Sequence, residues 1–167
     1  QVREVLETNL SSLPHLSGIS NHMGSLLSTN EIQINWMMET IASLPPRLFF
    51  VDSRTTSGSV IVNVARRNGV PAITRDVFLD NSLDPKDIRD QFYKLIDRAK
   101  SDGTALAIGH PHSTTITVLK SELVSLPHLG VRLVKVSELL RLRDVNRGLT
   151  AMQPKSNKDQ ATQIPKT

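Results

Sequence analysis

The stretch Thr104-Ala105-Leu106-Ala107-Ile108-Gly109-His110-Pro111-His112-Ser113 carries the signals that decide the fold of this chain. Its first half is a short apolar run, which is typical of a buried strand in a parallel sheet. The run ends in Gly-His-Pro-His, and Ser113 opens a helical pattern that extends to about Leu123. Two imidazoles at the end of a strand suit a metal site or a proton transfer. The stretch therefore predicts a strand–loop–helix unit with functional side chains in its loop.

The same order of strand and helix recurs along the chain. Apolar runs predict five strands, at 17–20, 48–51, 71–74, 104–108 and 131–134. Helical periodicity predicts helices at 2–13, 28–44, 57–68, 85–103 and 113–123, and from Ser137 to about Arg143. Ser28 and Glu31 have the spacing of a capping box, and Asp84 precedes Pro85 as an N-cap residue. Five such units predict an α/β fold with a parallel sheet and outer helices.

The composition limits the classes of function. The 167 residues include no cysteine, which excludes disulfides, thiolate zinc sites and a cysteine nucleophile. No apolar run is long enough to span a membrane. The net charge is +4, but aromatic residues make up only 4%, so nucleic-acid binding is not expected. We predict one domain over 1–144, followed by a disordered polar tail over 145–167.

The five histidines sort by the end of the sheet that they occupy. His22, His110 and His112 follow predicted strands, where the active sites of parallel α/β proteins lie. His15 and His128 stand between a helix and the next strand, in two copies of Ser-Leu-Pro-His-Leu, and are predicted to be structural. The carboxyl-end group also contains other polar residues, namely Asn21, Asp52, Ser53, Arg54, Arg75 and Asp76.

Histidines and aspartates gathered at one end suit a divalent metal such as zinc, with a water molecule as the nucleophile. A carboxylate would then act as a base and a histidine as an acid. His110 and His112 alternate along an extended backbone, so their side chains are expected to point apart and not to share one ion.

The acidic and basic residues of this group have two interpretations. Asp52 and Asp76 are either functional carboxylates or caps and ion-pair partners of the adjoining arginines. Arg54 and Arg75 either bind a substrate oxyanion or neutralise these aspartates. No Gly-rich phosphate loop occurs. No Gly-x-Ser-x-Gly motif occurs either, which argues against a serine hydrolase that uses this motif.

Four segments that follow one another along the chain resemble the divergent polysaccharide deacetylase family of bacteria over about residues 1–142. They are Gly18-Ile19-Ser20-Asn21-His22-Met23-Gly24-Ser25, Phe49-Phe50-Val51-Asp52-Ser53-Arg54-Thr55, Arg75-Asp76-Val77-Phe78-Leu79-Asp80-Asn81 and Ile108-Gly109-His110-Pro111-His112. The resemblance implies a deformed (β/α) barrel of the NodB-like type. It also implies a metal-dependent hydrolase that removes acetyl groups from N-acetylated sugars, with an Asp-His-His metal site, an Asp base and a His acid.

Carried over by position, the resemblance assigns His22 and His110 as metal ligands. It assigns His110, His112 and Asp52 to catalysis, and Asn21, Arg54, Arg75 and Asp76 to substrate binding. The chain departs from the family because the initial strand with an Asp-Asp pair is absent. Five units are also too few to close a barrel. We therefore expect that the sequence begins within a longer protein, whose signal or anchor and Asp-Asp pair lie before Gln1.

The expected function is a zinc-dependent deacetylase of an envelope glycan or amino sugar, located in the bacterial periplasm or cell envelope. One alternative is a non-catalytic module that binds glycan in a degenerate barrel. Another is a different metal hydrolase, such as an amidase or a phosphoesterase, which the two arginines keep open.

Overall fold

The computed structural model describes residues 2–11 and 13–152, which form an α/β structure with two small parallel sheets. The strands are β1 (Gly18–Ser20), β2 (Phe49–Asp52), β3 (Ala72–Thr74), β4 (Val77–Phe78) and β5 (Ala107–Ile108). The helices are α1 (Val2–Ser11), α2 (Ser25–Ser28), α3 (Glu31–Ser43), α4 (Ile61–Arg67), α5 (Pro85–Asp102), α6 (Ser113–Glu122) and α7 (Val136–Met152). The predicted α/β class with parallel strands is confirmed. None of the helices in these ranges is both long enough and apolar enough to cross a bilayer.

The two sheets share one stretch of chain. The first has the order β1-β2-β3, and the second consists of β4 and β5. Only Arg75 and Asp76 separate β3 from β4. The backbone N–H of Arg75 donates to the carbonyl of Asp52 on β2 at 3.0 Å, whereas that of Asp76 donates to the carbonyl of Leu106, next to β5, at 2.8 Å. The chain therefore changes its pairing partner between two adjacent residues.

The ends of α5 are as the sequence predicts. The Asp84 side chain accepts a hydrogen bond from the N–H of Lys86 at 2.7 Å, and Pro85 occupies the first helical turn. Gly103 follows the helix with φ 76°, a left-handed conformation that costs glycine little.

The predicted cap of α3 is wrong. Asn30, not Ser28, accepts a hydrogen bond from the N–H of Gln33, at 3.1 Å. Ser28 instead ends the short helix α2, and its hydroxyl donates to the carbonyl of Ser25. The capping-box spacing is fortuitous because a separate helical turn immediately precedes α3.

Two predictions fail near the end of the described chain. Residues 131–134 form no strand: they lie beside β5 through apolar contacts of Val131 and Val134, but the N–H of Val131 donates back to Leu126. The five predicted strand–helix units are therefore not all present. Helix α7 continues to Met152, past the predicted end near Arg143 and into the predicted tail. The remainder of that tail, 153–167, lies outside the described residues.

Helices cover both faces of the first sheet. Phe50 on β2 packs with buried side chains of α3 and α4, including Ile34, Met38, Ile41, Ile61 and Val64. The next residue, Val51, points to the other face and packs with Leu139 and Leu140 of α7. This alternation is the period of two expected in a strand with two covered faces. Each such apolar side chain stabilises the fold by roughly 1.5–3 kcal/mol when fully buried.

A third cluster joins β4 and β5 to α5 and α6. Its buried members include Val77 and Leu79 together with Phe92 and Ile96 of α5. At the surface of the same helix pair, Glu122 of α6 accepts hydrogen bonds from Arg89 at 2.8 Å and from the Tyr93 hydroxyl at 3.0 Å. These contacts lower the pKa of Glu122, chiefly through the bond from Arg89.

Candidate functional site

Three histidines meet at the carboxyl ends of the strands. His22 lies two residues after β1, His110 lies two residues after β5, and His112 immediately precedes α6. The ring centroid of His110 is 5.7 Å from that of His22 and 5.5 Å from that of His112. His15 and His128 lie in connections that precede β1 and residues 131–134. The sorting of histidines by sheet end thus predicted which of them come together.

The expectation that His110 and His112 point apart is wrong. A strand alternates its side chains, but β5 ends at Ile108, before either histidine. His112 has φ −68° and ψ 144°, the conformation of a polyproline helix, which repeats every three residues. The alternation of a strand therefore does not apply to this loop, and the ring centroids of His110 and His112 lie 5.5 Å apart.

Asp80 is the residue of this site that sequence analysis missed. Its side chain is fully buried. One carboxylate oxygen, Oδ2, accepts from the backbone N–H of His110 at 2.6 Å and from the Thr115 hydroxyl at 2.9 Å. The other, Oδ1, lies 3.1 Å from Nδ1 of the His110 ring. Asp80 therefore holds the backbone and the side chain of His110 together.

The signal that could have found Asp80 is the apolar run Val77-Phe78-Leu79 that precedes it. A two-residue strand is shorter than any periodic pattern can indicate, so this run resembles a loop in the sequence. Yet the run ends in an aspartate just as Phe49-Phe50-Val51 ends in Asp52, and β4 places Asp80 beyond its carboxyl end.

The charge of Asp80 determines which ring nitrogen of His110 carries the proton. Burial by itself raises the pKa of the carboxyl group, but the hydrogen bonds from His110 and Thr115 outweigh that effect, and the pKa lies below its usual value. An ionised carboxylate can only accept hydrogen bonds, so Nδ1 of His110 carries the proton that faces it. In neutral His110 the other nitrogen, Nε2, then presents a lone pair that is available to a metal or a substrate proton.

Phe78 joins the histidine cluster to Arg75. The Phe78 ring meets the ring of His110 edge to face, with centroids 5.4 Å apart and an interplanar angle of 89°. The guanidinium carbon of Arg75 lies 4.7 Å from the centroid of the Phe78 ring, within the range of a cation–π contact. One aromatic ring thus separates Arg75 from His110.

A second group of predicted residues surrounds the loop after β2. Asn21, the neighbour of His22, accepts a hydrogen bond from the N–H of Ser53 at 2.9 Å. Asp52 is buried, and its oxygens accept from the N–H of Arg54 at 2.8 Å and from the Ser59 hydroxyl at 2.9 Å. The geometry of Asp52 therefore favours its interpretation as a cap of this loop.

Arg75 holds the same loop from the other side. Its Nε donates to the carbonyl of Ser53 at 2.6 Å, and a terminal nitrogen donates to the carbonyl of Arg54 at 3.0 Å. Burial and then the nearby charge of Arg54 lower the pKa of Arg75, whereas Asp52 opposes that shift. The two arginines therefore stand close enough for their positive charges to interact.

Asp76 lies apart from both groups. It precedes β4, and its carboxylate accepts from the N–H of Leu106 at 2.7 Å and forms an ion pair with Arg143 of α7. Arg143 also donates to the Thr104 hydroxyl at 3.2 Å. The predicted substrate contact of Asp76 stays a prediction that these bonds do not favour, because its oxygens secure α7 to the second sheet.

The cluster offers the donor types that zinc prefers. Asp80, His110 and His112 each present a ligand atom, and these atoms lie within 4.8 Å of one another. Both oxygens of Asp80, however, already accept hydrogen bonds. Asp80 therefore fits better as the carboxylate that orients a ligand histidine than as a ligand itself. His110 and His112 still offer ligand atoms that lie close together, so the residues present fit a divalent ion. The ring of His22 contacts that of His110, but His22 is not one of the three residues whose ligand atoms converge.

The chain matches a known protein family and is similar to uncharacterized proteins of other bacteria. The sequence model described as divergent polysaccharide deacetylase matches residues 1–140. The uncharacterized protein YibQ of Escherichia coli K12 is 35% identical over 156 residues, which are 93% of this chain and 47% of YibQ. An uncharacterized protein of Haemophilus influenzae is 36% identical over 141 residues, 84% of this chain and 49% of that protein. The chain thus spans about half the length of the curated relatives it matches.

A solved structure shares the fold. The crystal structure of the uncharacterized protein ATU2773 from Agrobacterium tumefaciens C58 superposes with a TM-score of 0.75. The match covers 82% of this chain and 56% of that one, at 20% sequence identity. At that identity the likeness extends to the arrangement of helices and strands only.

Proposed function

The chain belongs to the divergent polysaccharide deacetylase family, and we propose that it forms part of a metal-dependent hydrolase that removes N-acetyl groups from an envelope glycan or amino sugar. The observation that carries the proposal is the convergence of His22, His110 and His112, with His110 bonded to the buried Asp80. A buried carboxylate bonded to one nitrogen of a histidine is the usual support of a metal-binding or proton-transferring imidazole.

In this proposal His22 and His110 hold the metal, and zinc is the ion that imidazole and carboxylate donors favour. When bound, a divalent ion supplies Lewis-acid activation of a water and of the acetamide carbonyl. Asp80 fixes the ring of His110 so that Nε2 would be free to bind the ion. The Asp-Asp pair of the family, which this sequence lacks, would supply a carboxylate ligand and a base.

His112 is the proposed proton donor to the leaving amine. It is exposed at the start of α6, and its ring lies against that of His110. A protonated imidazole in this position can give its proton to the leaving nitrogen as the C–N bond breaks. Asp52 retains its predicted catalytic role only if a substrate displaces one of the hydrogen bonds that its oxygens now accept.

The wider setting is also part of the proposal. A deformed barrel, to which the two sheets would contribute adjacent strands, accounts for the change of partner between β3 and β4, because closed sheets need strands that are staggered. We further propose that the protein acts in the periplasm or cell envelope, where an envelope glycan would be found.

The test is zinc binding and acetate release by the natural full-length protein. Calorimetry is expected to show one zinc ion per protein, and His22→Ala is expected to abolish its binding. His128→Ala is the matched control, because it removes an exposed imidazole outside the cluster and should bind zinc as the wild type does. Acetate release from N-acetylated oligosaccharides should require the bound zinc. Absence of zinc uptake by the wild-type protein would refute the proposal.

A second candidate is a glycan-binding module without catalysis. The observation in its favour is that both buried aspartates of the site, Asp52 and Asp80, already have bonded oxygens, so neither is a free base. Such a module would bind N-acetylated oligosaccharide without acetate release, and His110→Ala would change its affinity alone.

A further inference from the structure

The loop after β2 holds Arg54 in an unusual backbone conformation. Arg54 has φ 47°, in the left-handed region that residues with a side chain rarely adopt. Three hydrogen bonds fix this geometry: its N–H donates to Asp52, and the carbonyls of Ser53 and Arg54 accept from Arg75. The surrounding structure therefore imposes the conformation on this residue, as is common at functional sites.

The neighbouring residue carries a second unfavourable feature. The hydroxyl of Ser53 is enclosed and has no hydrogen-bond partner among the described residues. A buried polar group without a partner destabilises the fold. The left-handed conformation of Arg54 and the unpaired hydroxyl of Ser53 both destabilise the fold. Two such features at adjacent residues indicate that the loop serves to bind something.

The side chain of Arg54 supplies that contact. It is exposed, and within 2–11 and 13–152 no carboxylate or other side chain pairs with its guanidinium. Behind it stands Arg75, whose pKa the charge of Arg54 helps to lower. An exposed guanidinium beside a second positive charge is stabilised when an anion binds to it.

The loop that contains Arg54 lies next to the histidine cluster. Asn21, adjacent to His22, is bonded to the N–H of Ser53. On the other side one ring, that of Phe78, separates Arg75 from His110. The arginine pair thus lies beside the proposed metal ligands but does not touch them.

We propose that Arg54, with Arg75 behind it, forms an anion subsite that takes a carboxylate or sulfate substituent of the glycan, beside the position of the reacting acetamide. The assignment rests on the proposed function for the identity of the ligand as a glycan. It adds that the substrate is acidic, which the histidine cluster does not specify. Arg75 is a positioning residue here, because two of its donors hold the loop.

The experiment compares three N-acetylated oligosaccharides of equal length: a neutral one, one with a carboxylate in each repeat and one with a sulfate in each repeat. Binding to the full-length protein is measured by calorimetry at low salt, both with and without added zinc. The charged ligands are expected to bind about two- to fivefold more tightly than the neutral one, the range of an exposed ion pair. The preference should diminish in high salt, which screens exposed charges. The charged ligand that binds more tightly shows whether the subsite prefers a carboxylate or a sulfate.

Arg54→Gln should abolish this preference, so that charged and neutral ligands bind equally, whereas Arg54→Lys should retain part of it. Arg66→Gln is the matched control, since it removes the same charge from an exposed position in the last turn of α4. Equal binding of charged and neutral ligands by the wild type, or a preference that survives in Arg54→Gln, would overturn the inference. Zinc affinity, measured on the same samples, tests the proposed function separately: a charge preference without zinc binding supports the subsite and refutes the hydrolase.

Discussion

The hydrogen bonds of Asp80 make Asp80→Asn a sharp test of the site. Asparagine has the same shape, so its carbonyl oxygen can replace Oδ2 and accept from the N–H of His110 and from Thr115. Its amide nitrogen must then replace Oδ1, which faces Nδ1 of His110 at 3.1 Å. Because an amide nitrogen only donates, Nδ1 has to become an acceptor, and the proton of the neutral ring moves to Nε2.

The move of the proton weakens metal binding in a predictable way. A protonated Nε2 has no lone pair, so His110 has to change its tautomer before it can ligate zinc. Loss of such a supporting carboxylate typically costs a factor of ten to a hundred in affinity, or about 1.4–2.7 kcal/mol. The folded structure should lose only about 1 kcal/mol, since two of the three hydrogen bonds are retained.

The assay combines zinc calorimetry with nitrogen NMR of the imidazole rings. We expect the wild-type His110 as the Nδ1–H tautomer and the variant as the Nε2–H tautomer, with ten- to hundredfold weaker zinc binding. Thr115→Val is the control: it removes one bond to Asp80 but leaves both bonds to His110, so it should lower stability by about 1 kcal/mol and retain zinc affinity. A folded Asp80→Asn protein with an unchanged tautomer or unchanged zinc affinity would refute the reasoning.

Three further predictions concern stability. Arg143→Met should lower the free energy of unfolding by about 2 kcal/mol in urea titrations. The reason is that it leaves the largely buried carboxylate of Asp76 without its closest ion-pair partner. An unchanged midpoint of unfolding would show that this ion pair does not anchor α7. Gly18→Ala should destabilise by about 1–3 kcal/mol in the same titrations, since the new methyl group would overlap the ring of Phe49. For Glu122→Gln, the lowered pKa means that the carboxylate stabilises the fold above its usual pKa, about pH 4. The variant should thus be less stable than the wild type at pH 7. The difference should disappear as the pH falls through the lowered pKa of Glu122, and a difference that persists in acid would count against the pairing.

Hydrophobic runs predicted the parts of the fold in which they are long and well bounded. The second strand follows a proline pair and begins in an unbroken apolar run, and α5 has both a capping aspartate and a terminal glycine. Such signals are local, so the sequence contains them in full. The sorting of histidines likewise needed only the order of strands and helices, together with the rule that parallel strands end at a common edge.

The parts that failed depend on contacts that no local pattern encodes. Residues 131–134 have the apolar character of a strand, but whether they pair depends on the two-residue length of β5 beside them. Asp80 was missed for the same reason, because β4 exists only through its pairing with β5. The contact between the rings of His110 and His112 depends on the backbone around Pro111. Strand β5 ends before these residues, so the alternation of side chains along a strand does not apply to them.

The two-residue link between β3 and β4 makes the spacing of the histidines depend on how the two sheets are joined. His22 and the Arg54 loop belong to one sheet and its core, whereas Asp80, His110 and His112 belong to the other. The two sheets are joined by a shared apolar cluster, in which Val51 and Ile73 pack with Ile108. Arg75 and Arg143 bond on the two sides of the link, so a substitution of either would alter the spacing of the proposed metal ligands without removing a ligand.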